Sequence, residues 1–296
     1  MMDKKSIAIT GASGFLGKVL LEKLLAQGYK ITVLDSKGST FPKGVKIIRG
    51  NLLNGKGYEE FAQDCEIVIH LAGQVEQGNS TMYQGNVITT RNLLRVLTKK
   101  SVRKIIFASS IAVYGSSKVK IFKESDTCRP DTSYGKSKLK AERLIEEWSK
   151  KNGKNYVILR FFSLYGYENR KGFVYKLFRN LFDSSSVTIT GDGSQERDLV
   201  WVDDAADAII LAVTKNVFGI YNVGTGKNYS LLKIISLMEK IAGIKCNIKF
   251  VGSDKEKATN IYYQSEKIRK IGWKPKILPE KGLVMLYNTV IKPFTS

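Results

Sequence analysis

Histidine is nearly missing from this chain: His70 is its single example in 296 residues. Cysteine is scarce as well, with Cys65, Cys128 and Cys246 far apart. Protein zinc sites need Cys and His clustered at short spacings, so no metal site is expected. Three cysteines exclude a disulfide framework and fit reduced thiols in a cytoplasmic protein. Also absent is any apolar run near the eighteen or so residues that a membrane-spanning helix requires, so no membrane span is expected. The apolar stretch Ser6 to Thr10 runs directly into a glycine turn, which reads as a first strand rather than a leader. Acidic residues are in deficit, with 27 Asp and Glu against 48 Lys and Arg and a net charge of +21. The cations are scattered, with Lys99, Lys100, Lys150, Lys151, Lys274 and Lys276 near helix ends or turns. Scattered lysine is solvated helix decoration, with attraction of an anionic substrate as a by-product. No nucleic-acid motif accompanies it, so no nucleic-acid partner is expected.

What remains is an ordinary globular composition, 43% hydrophobic, long enough for one large core or a core with a lobe. Short apolar runs at 6–10, 31–34, 45–48, 66–71, 104–109 and 156–161 read as strands. They alternate with helical spacing over 15–26, 58–62, 83–99 and 134–150. Strand alternating with helix predicts an α/β fold, a Rossmann-type doubly wound parallel sheet. Continuous apolar strands fit a sheet covered on both faces. After residue 165 the rhythm changes, and 166–202 with 224–296 form a smaller interleaved α/β lobe. Residues 203–223, a helix and a short strand, are expected to rejoin the 1–165 sheet. Helices are further expected over 173–181, 230–241 and 265–271. No internal repeat or low-complexity linker interrupts the chain.

Gly11, Gly14 and Gly17 stand in a G-x-x-G-x-x-G turn between the first strand and the first helix. Glycine there permits positive φ and close backbone approach to a pyrophosphate. The helix behind it offers free N–H groups and its positive dipole end. This predicts a dinucleotide site at Gly11, Ser13, Gly14, Phe15, Leu16 and Gly17. Asp35 closes the second strand about twenty residues on, where a carboxylate accepts the ribose hydroxyls of NAD and repels the 2′-phosphate of NADP. Lys37 beside it leaves NADP open, and a plain turn-forming Asp is the alternative. Tyr134 and Lys138 lie at i and i+4 on one helix and project from the same face. A cation near the phenol is expected to lower its pKa and make Tyr134 a usable base. Ser110 can donate to the substrate oxygen beside it.

With these motifs in order, the chain resembles the extended short-chain dehydrogenase/reductase family, in particular its NAD-dependent nucleotide-sugar epimerases and dehydratases. The resemblance covers nearly the full length. It rests on Thr10 to Gly17, on Val68-Ile69-His70-Leu71-Ala72-Gly73, on Asn86-Val87, on Ser110 to Gly115, and on Tyr134 to Lys138. Gly191 to Asp204, Tyr221-Asn222-Val223-Gly224 and Gly272-Trp273-Lys274-Pro275 resemble its substrate-lobe landmarks. The resemblance implies NAD as cofactor, held also by Asn51, Leu52, Leu71, Ala72, Gly73, Asn86, Tyr134, Lys138 and Phe161. It implies Ser110, Tyr134 and Lys138 as catalytic residues. It implies a nucleotide-diphosphate sugar as substrate, contacted by Ser110, Tyr134, Ser163 and Arg197. Arg197 would pair with the diphosphate, or alternatively with Asp198. His70 reads as a packed, hydrogen-bonded histidine rather than a base. Tyr114 either borders the sugar or is packing. The chain departs from the family pattern at Asn51, where an Asp is usual, and at Ser163, where an Asn is usual. It departs again at Tyr262-Tyr263-Gln264-Ser265, before which a second anion-binding arginine is missing and Lys255 or Lys257 could substitute.

The family's dehydratases carry an Asp-Glu pair just after the residue at position 110. Here Ile111 and Ala112 stand there and cannot serve as acid or base, so dehydration is not expected. The expected reaction is 4-epimerisation of a nucleotide sugar by transient C4 oxidation and hydride return. A keto-sugar reductase consuming NAD(P)H shares every catalytic residue and is the alternative. A non-catalytic dinucleotide sensor is a more remote one. The resemblance also implies a homodimer through the helices at 83–99 and 134–150, with Leu93, Leu94, Leu97, Leu139, Leu144 and Ile145 available; these same residues could instead pack on the sheet.

Overall fold

The computed structural model describes residues 5–54, 57–75, 79–115, 121–167, 169–170, 172–183, 186–252 and 262–291. In chain order, the first elements are β1 (Ser6–Thr10), α1 (Phe15–Ala26), β2 (Lys30–Asp35), β3 (Lys46–Arg49) and β4 (Ile67–His70). A helical stretch follows, made of α2 (Asn79–Met82), a π-type turn at Tyr83–Ile88 and α3 (Thr89–Leu97). Next come β5 (Lys104–Ser110), a 3₁₀ turn at Ile111–Val113, β6 (Ile121–Phe122), α4 (Ser133–Asn152), β7 (Asn155–Phe161) and β8 (Ser163–Tyr165). The remainder holds α5 (Phe173–Asp183), β9 (Ser186–Thr190), β10 (Glu196–Trp201), α6 (Val202–Thr214), β11 (Gly219–Val223) and β12 (Asn228–Ser230). It closes with α7 (Leu231–Ala242), β13 (Asn247–Val251), β14 (Tyr262–Tyr263), α8 (Glu266–Lys270), α9 (Pro279–Leu286) and a π-type turn at Tyr287–Ile291. The described residues divide into two compact units, one within Met1–Gly115, Ser125–Arg160 and Ala206–Tyr221, the other within Ser116–Glu124, Phe161–Ala205 and Asn222–Ser296.

The seven-stranded sheet has the order β11-β7-β5-β4-β1-β2-β3. Its pairs β1–β2, β2–β3, β1–β4 and β4–β5 are parallel. The expected Rossmann-type α/β sheet is therefore present. Strand order reverses at β1, which is flanked by β2 on one side and β4 on the other. Ligands of open parallel sheets bind at the carboxyl ends of the strands at such a point. Ile7, Ala8 and Ile9 of β1 have no exposed surface, because helices cover both faces. One face packs Val68, Ile105, Phe107 and Ile158 against Leu93, Leu94 and Leu97 of α3 and Ala141 and Ile145 of α4.

Helix ends follow local chemistry. Thr132 caps α4 by accepting from Gly135 N, and Gly153 stops it at φ +61°. The helix expected over 58–62 is absent; that segment is a set of turns in which Ala62 adopts φ +61°. A short helix has little stability of its own, and here burial of Tyr58, Phe61 and Ala62 is achieved by turns instead. In the second unit β8, β10 and β12 form a three-stranded sheet, while β9 pairs with β13 and β6 with β14. β8 and β12 are three residues long, too short to be read from sequence. Among the described residues no helix is long and apolar enough to cross a membrane.

Candidate active site

The glycine turn is fixed by contacts that leave no room for a side chain. Gly11 sits at φ +76°, and a Cβ there would lie 2.5 Å from Ala72 N in the turn after β4. A Cβ on Gly17 would lie 2.2 Å from Gly11 O. Gly14 caps α1, whose first turn holds no acid and no side-chain cap, so the helix presents free N–H groups and a positive end. Thr10 adds a brace, its hydroxyl accepting from Ala72 N at 3.3 Å. A cleft of about 240 Å³ opens here, lined by Gly11, Ser13, Gly14, Asp35, Asn51, Leu52, Leu71, Ala72 and Gly73 among others. A cradle that a Cβ would fill, an uncapped helix start and a carboxylate at the β2 end together fit a dinucleotide. Gly17→Ala should destabilise the first unit by roughly 1–3 kcal/mol through overpacking. The same variant should lose tightly retained nucleotide, measured by absorbance of the supernatant after acid release.

Several predicted residues are not among those lining this cleft. Phe15 and Leu16 are half-buried in the first turn of α1, and Phe161 is buried at the end of β7. Asn86 is buried in the π-type turn, where its Oδ1 accepts from Gln74 N at 3.0 Å and its Nδ2 donates to Gln74 O and Ser137 Oγ. Asn51 Oδ1 accepts from Leu53 N at 2.9 Å, a role that an Asp would also fill. His70 is fully buried. Thr90 gives its hydroxyl proton to Asn86 O at 2.6 Å, so at 2.9 Å it must accept from His70 Nε2. Nδ1 then accepts from Thr10 at 2.7 Å. Burial, with Lys138 adding to it, pushes the His70 pKa down to about 3, so the ring is a neutral spacer.

Tyr134 and Lys138 share one face of α4, with the Lys138 ammonium 6.0 Å from the Tyr134 ring centroid. Lys138 Nζ donates to Ala108 O at 2.9 Å. Ser110 closes β5, accepts from Ala112 N at 3.2 Å and acts on the Tyr134 phenol. The three expected catalytic side chains are thus neighbours. Burial pushes the Lys138 ammonium down to about 8, with the Glu142 carboxylate pulling the other way. Burial also holds the Tyr134 phenol above its usual value, partly offset by Ser110. The expectation that the Lys138 cation lowers the Tyr134 pKa is therefore not met: burial raises it, and the lowering influence comes from Ser110. Beneath them lies a buried ion pair that sequence reading missed. Arg160 Nε and Nη2 donate to the two Glu142 oxygens at 3.1 and 2.8 Å, and Ser109 Oγ donates to Glu142 Oε1 at 2.5 Å. The Arg160 guanidinium also covers the Tyr114 ring at 4.8 Å, so Tyr114 is core packing. Glu142, four residues past Lys138 on a buried helix face, was the available signal.

In the second unit, Ser163 lies on β8, paired with Leu199 of β10. Arg197 is exposed on β10, with Nη1 donating to Glu196 O at 2.8 Å. It does not pair with Asp198. That carboxylate is buried and accepts from Thr225 N, Thr225 Oγ1 and Gly226 N. Asp204 accepts from the backbone of Lys276 and Ile277, and its carbonyl from the Trp273 indole. These bonds account structurally for two of the sequence landmarks. Lys255 and Lys257 lie outside the described residues. Among the described residues no cluster of three metal-ligating side chains occurs.

Residues 7–224 match the model of the NAD dependent epimerase/dehydratase family. The chain belongs to that family. A Methanocaldococcus jannaschii protein with a provisional UDP-glucose 4-epimerase name is 32% identical, with 95% of this chain and 97% of that protein covered. The UDP-glucose 4-epimerase of Thermotoga maritima, solved with UDP-glucose, superposes with a TM-score of 0.89 at 27% identity, covering 98% of this chain and 99% of that one. The UDP-glucuronic acid 4-epimerase of Bacillus cereus, solved with UDP-glucuronic acid and NAD, gives 0.87 at 27% identity, over 97% and 99%. The family and NAD dependence expected from the motifs are borne out. Of the residues offered for an epimerase-type dimer, Leu93, Leu94, Leu97 and Ile145 are consumed by the first unit's own core, and Leu144 packs against it. Leu139 and Leu144 line a surface groove of α4 together with Lys136, Lys140 and Arg143.

Proposed function

We propose that this chain is an NAD-dependent UDP-sugar 4-epimerase, with its first unit holding the cofactor and its second unit contributing substrate contacts. The observation that carries the reading is the gathering of Ser110 at the end of β5 with Tyr134 and Lys138 on one face of α4, with Ile111 and Ala112 supplying no second acid or base. NAD, when bound, supplies reversible hydride acceptance and a positive charge near the phenol. The glycine turn and the start of α1 would hold its pyrophosphate, Asp35 its adenosine ribose, and Lys138 its nicotinamide ribose. Tyr134 Oη takes the proton from the C4 hydroxyl and later returns it. Ser110 donates to the same oxygen and keeps it within reach of the phenol. Lys138 is mostly protonated at neutral pH, with a pKa of about 8, and holds its ammonium 6.0 Å from the Tyr134 ring centroid. The 4-keto sugar turns over and regains hydrogen on its other face, which inverts C4. Arg197 and Ser163 are assigned to the substrate diphosphate.

The localisation we propose is cytoplasmic, on the basis of three free cysteines. We also propose a homodimer, for which the outer face of α4 at Leu139 and Leu144 remains available. The test of function is a one-pot NMR assay without added cofactor on UDP-glucose, UDP-galactose, their N-acetyl forms and UDP-glucuronic acid. Appearance of a C4 epimer is the expected result. Stoichiometric NAD(P)H consumption on a 4-keto nucleotide sugar, without epimer formation, would instead establish a reductase.

A further inference from the structure

The chain's single histidine has no exposed surface, yet its imidazole lies in the middle of an unbroken run of hydrogen bonds within the first unit. The run starts at the turn after β4, where Ala72 N donates to Thr10 Oγ1 at 3.3 Å. Thr10 donates its only hydroxyl proton to His70 Nδ1 at 2.7 Å. His70 Nε2 donates to Thr90 Oγ1 of α3 at 2.9 Å, and Thr90 donates to Asn86 O at 2.6 Å. Asn86 Nδ2 donates to Ser137 Oγ at 2.9 Å, and Ser137 donates to Tyr134 O in the first turn of α4 at 2.8 Å. One end of the run is the glycine turn, since a Cβ on Gly11 would lie 2.5 Å from Ala72 N. The other end is the helix that carries Tyr134 and Lys138. A second path runs through rings: His70 stacks on Phe107 with centroids 5.4 Å apart, and the Lys138 ammonium lies 4.8 Å from the Phe107 centroid.

We propose that His70 is a positioning residue, which sets where Tyr134 stands relative to the dinucleotide cleft by tying β1 and β4 to α3 and α4. A carbonyl only accepts, so Thr90 must donate to Asn86 O, Nε2 must carry the ring proton and Nδ1 must be bare. The run therefore has one sense. An apolar side chain would fill the space but would not fix the separation of strand and helix, whereas a fully satisfied buried network specifies one arrangement. That arrangement matters because C4 gives its hydride to the cofactor while its hydroxyl gives a proton to the phenol. A misplacement of about 1 Å between such partners costs about a hundredfold in rate.

The proposal rests on the reading of Tyr134 as the acid–base group. Its kinetic arm uses whichever C4 reaction the full chain shows in the NMR assay, epimerisation or keto reduction, so failure of the epimerase reading leaves it testable. Thr90 is fully buried and is not among the residues lining the cleft. Thr90→Val keeps the shape and removes the hydroxyl; it should lower kcat by about tenfold to a hundredfold. KM and the NAD Kd from titration calorimetry should stay within about threefold. Thr90→Ser, which keeps the hydroxyl, should recover kcat to within about threefold of the wild type. Ser137→Ala cuts the run elsewhere and should repeat the loss. The double variant Thr90→Val with Ser137→Ala should be no more than about threefold slower than the slower single one, because a run already cut is not cut again. Circular dichroism would confirm that each variant is folded. One histidine gives one set of ring signals, so heteronuclear NMR of the imidazole nitrogens reads the tautomer without any activity. A wild-type ring protonated at Nδ1 would overturn the proposal. So would Thr90→Val with wild-type kcat, Thr90→Ser as slow as Thr90→Val, or losses that multiply in the double variant.

Discussion

Tyr134→Phe is expected to reduce kcat by about 10²–10⁴-fold, the contribution typical of a positioned acid–base group. KM should stay within a few-fold. Ser110 acts on the phenol, and no other described group has been assigned the C4 hydroxyl proton. His70 cannot replace it, because its ring is buried, neutral and committed at both nitrogens to Thr10 and Thr90. Lys138 is directed at Ala108 O. Phe keeps the ring and the packing, so the fold and nucleotide retention should survive. The measurement is steady-state kinetics on the sugar identified by NMR, together with the nucleotide content of the purified variant. Full activity in the Phe variant would exclude Tyr134 as the base.

Glu142→Ala is expected to destabilise the protein by about 3–5 kcal/mol, the cost of leaving one partner of a buried ion pair uncompensated. Glu142 and Arg160 are 1% and 3% exposed as side chains, and Arg160 already has one buried nitrogen, Nη1, without a hydrogen-bond partner. Removing the carboxylate would leave the whole guanidinium beside the Tyr114 ring. It would also release Ser109, the neighbour of Ser110, so kcat should fall along with stability. Arg160→Met combined with Glu142→Ala should recover much of the stability, since replacing both partners of such a pair by apolar groups is often near neutral. Urea unfolding midpoints at matched m-values would check this. A double variant no more stable than Glu142→Ala alone would show that the cost is cavity formation rather than a stranded charge.

Much of the fold was legible because its signals are local. β1, the glycine turn and α1 follow from a five-residue apolar run, three glycines and helical spacing. α4 follows from apolar periodicity between Thr132 and Gly153, both of which act as caps. The segment 58–62 misled because its apolar spacing is helical while its burial is achieved by turns around Ala62. In the second unit β8 and β12 were hidden because three residues carry no periodicity, and β13 because its partner β9 lies far away in sequence.

The site divides the same way. The order of motifs along the chain was enough to determine a dinucleotide-binding α/β protein of the epimerase/dehydratase family, with Ser110, Tyr134 and Lys138 as its candidates for chemistry. A motif reports covalent neighbours and helical spacing, and those are fixed before the chain folds. The partners of charged groups are not. That Asp35 meets Arg49 depends on the register of β2 and β3. That Glu142 is neutralised by Arg160 and tied to Ser109 depends on α4 lying over β5 and β7. That burial raises the Tyr134 pKa depends on how much water the fold removes. Electrostatics is decided by distance and solvent in three dimensions, and only the tertiary structure supplies both.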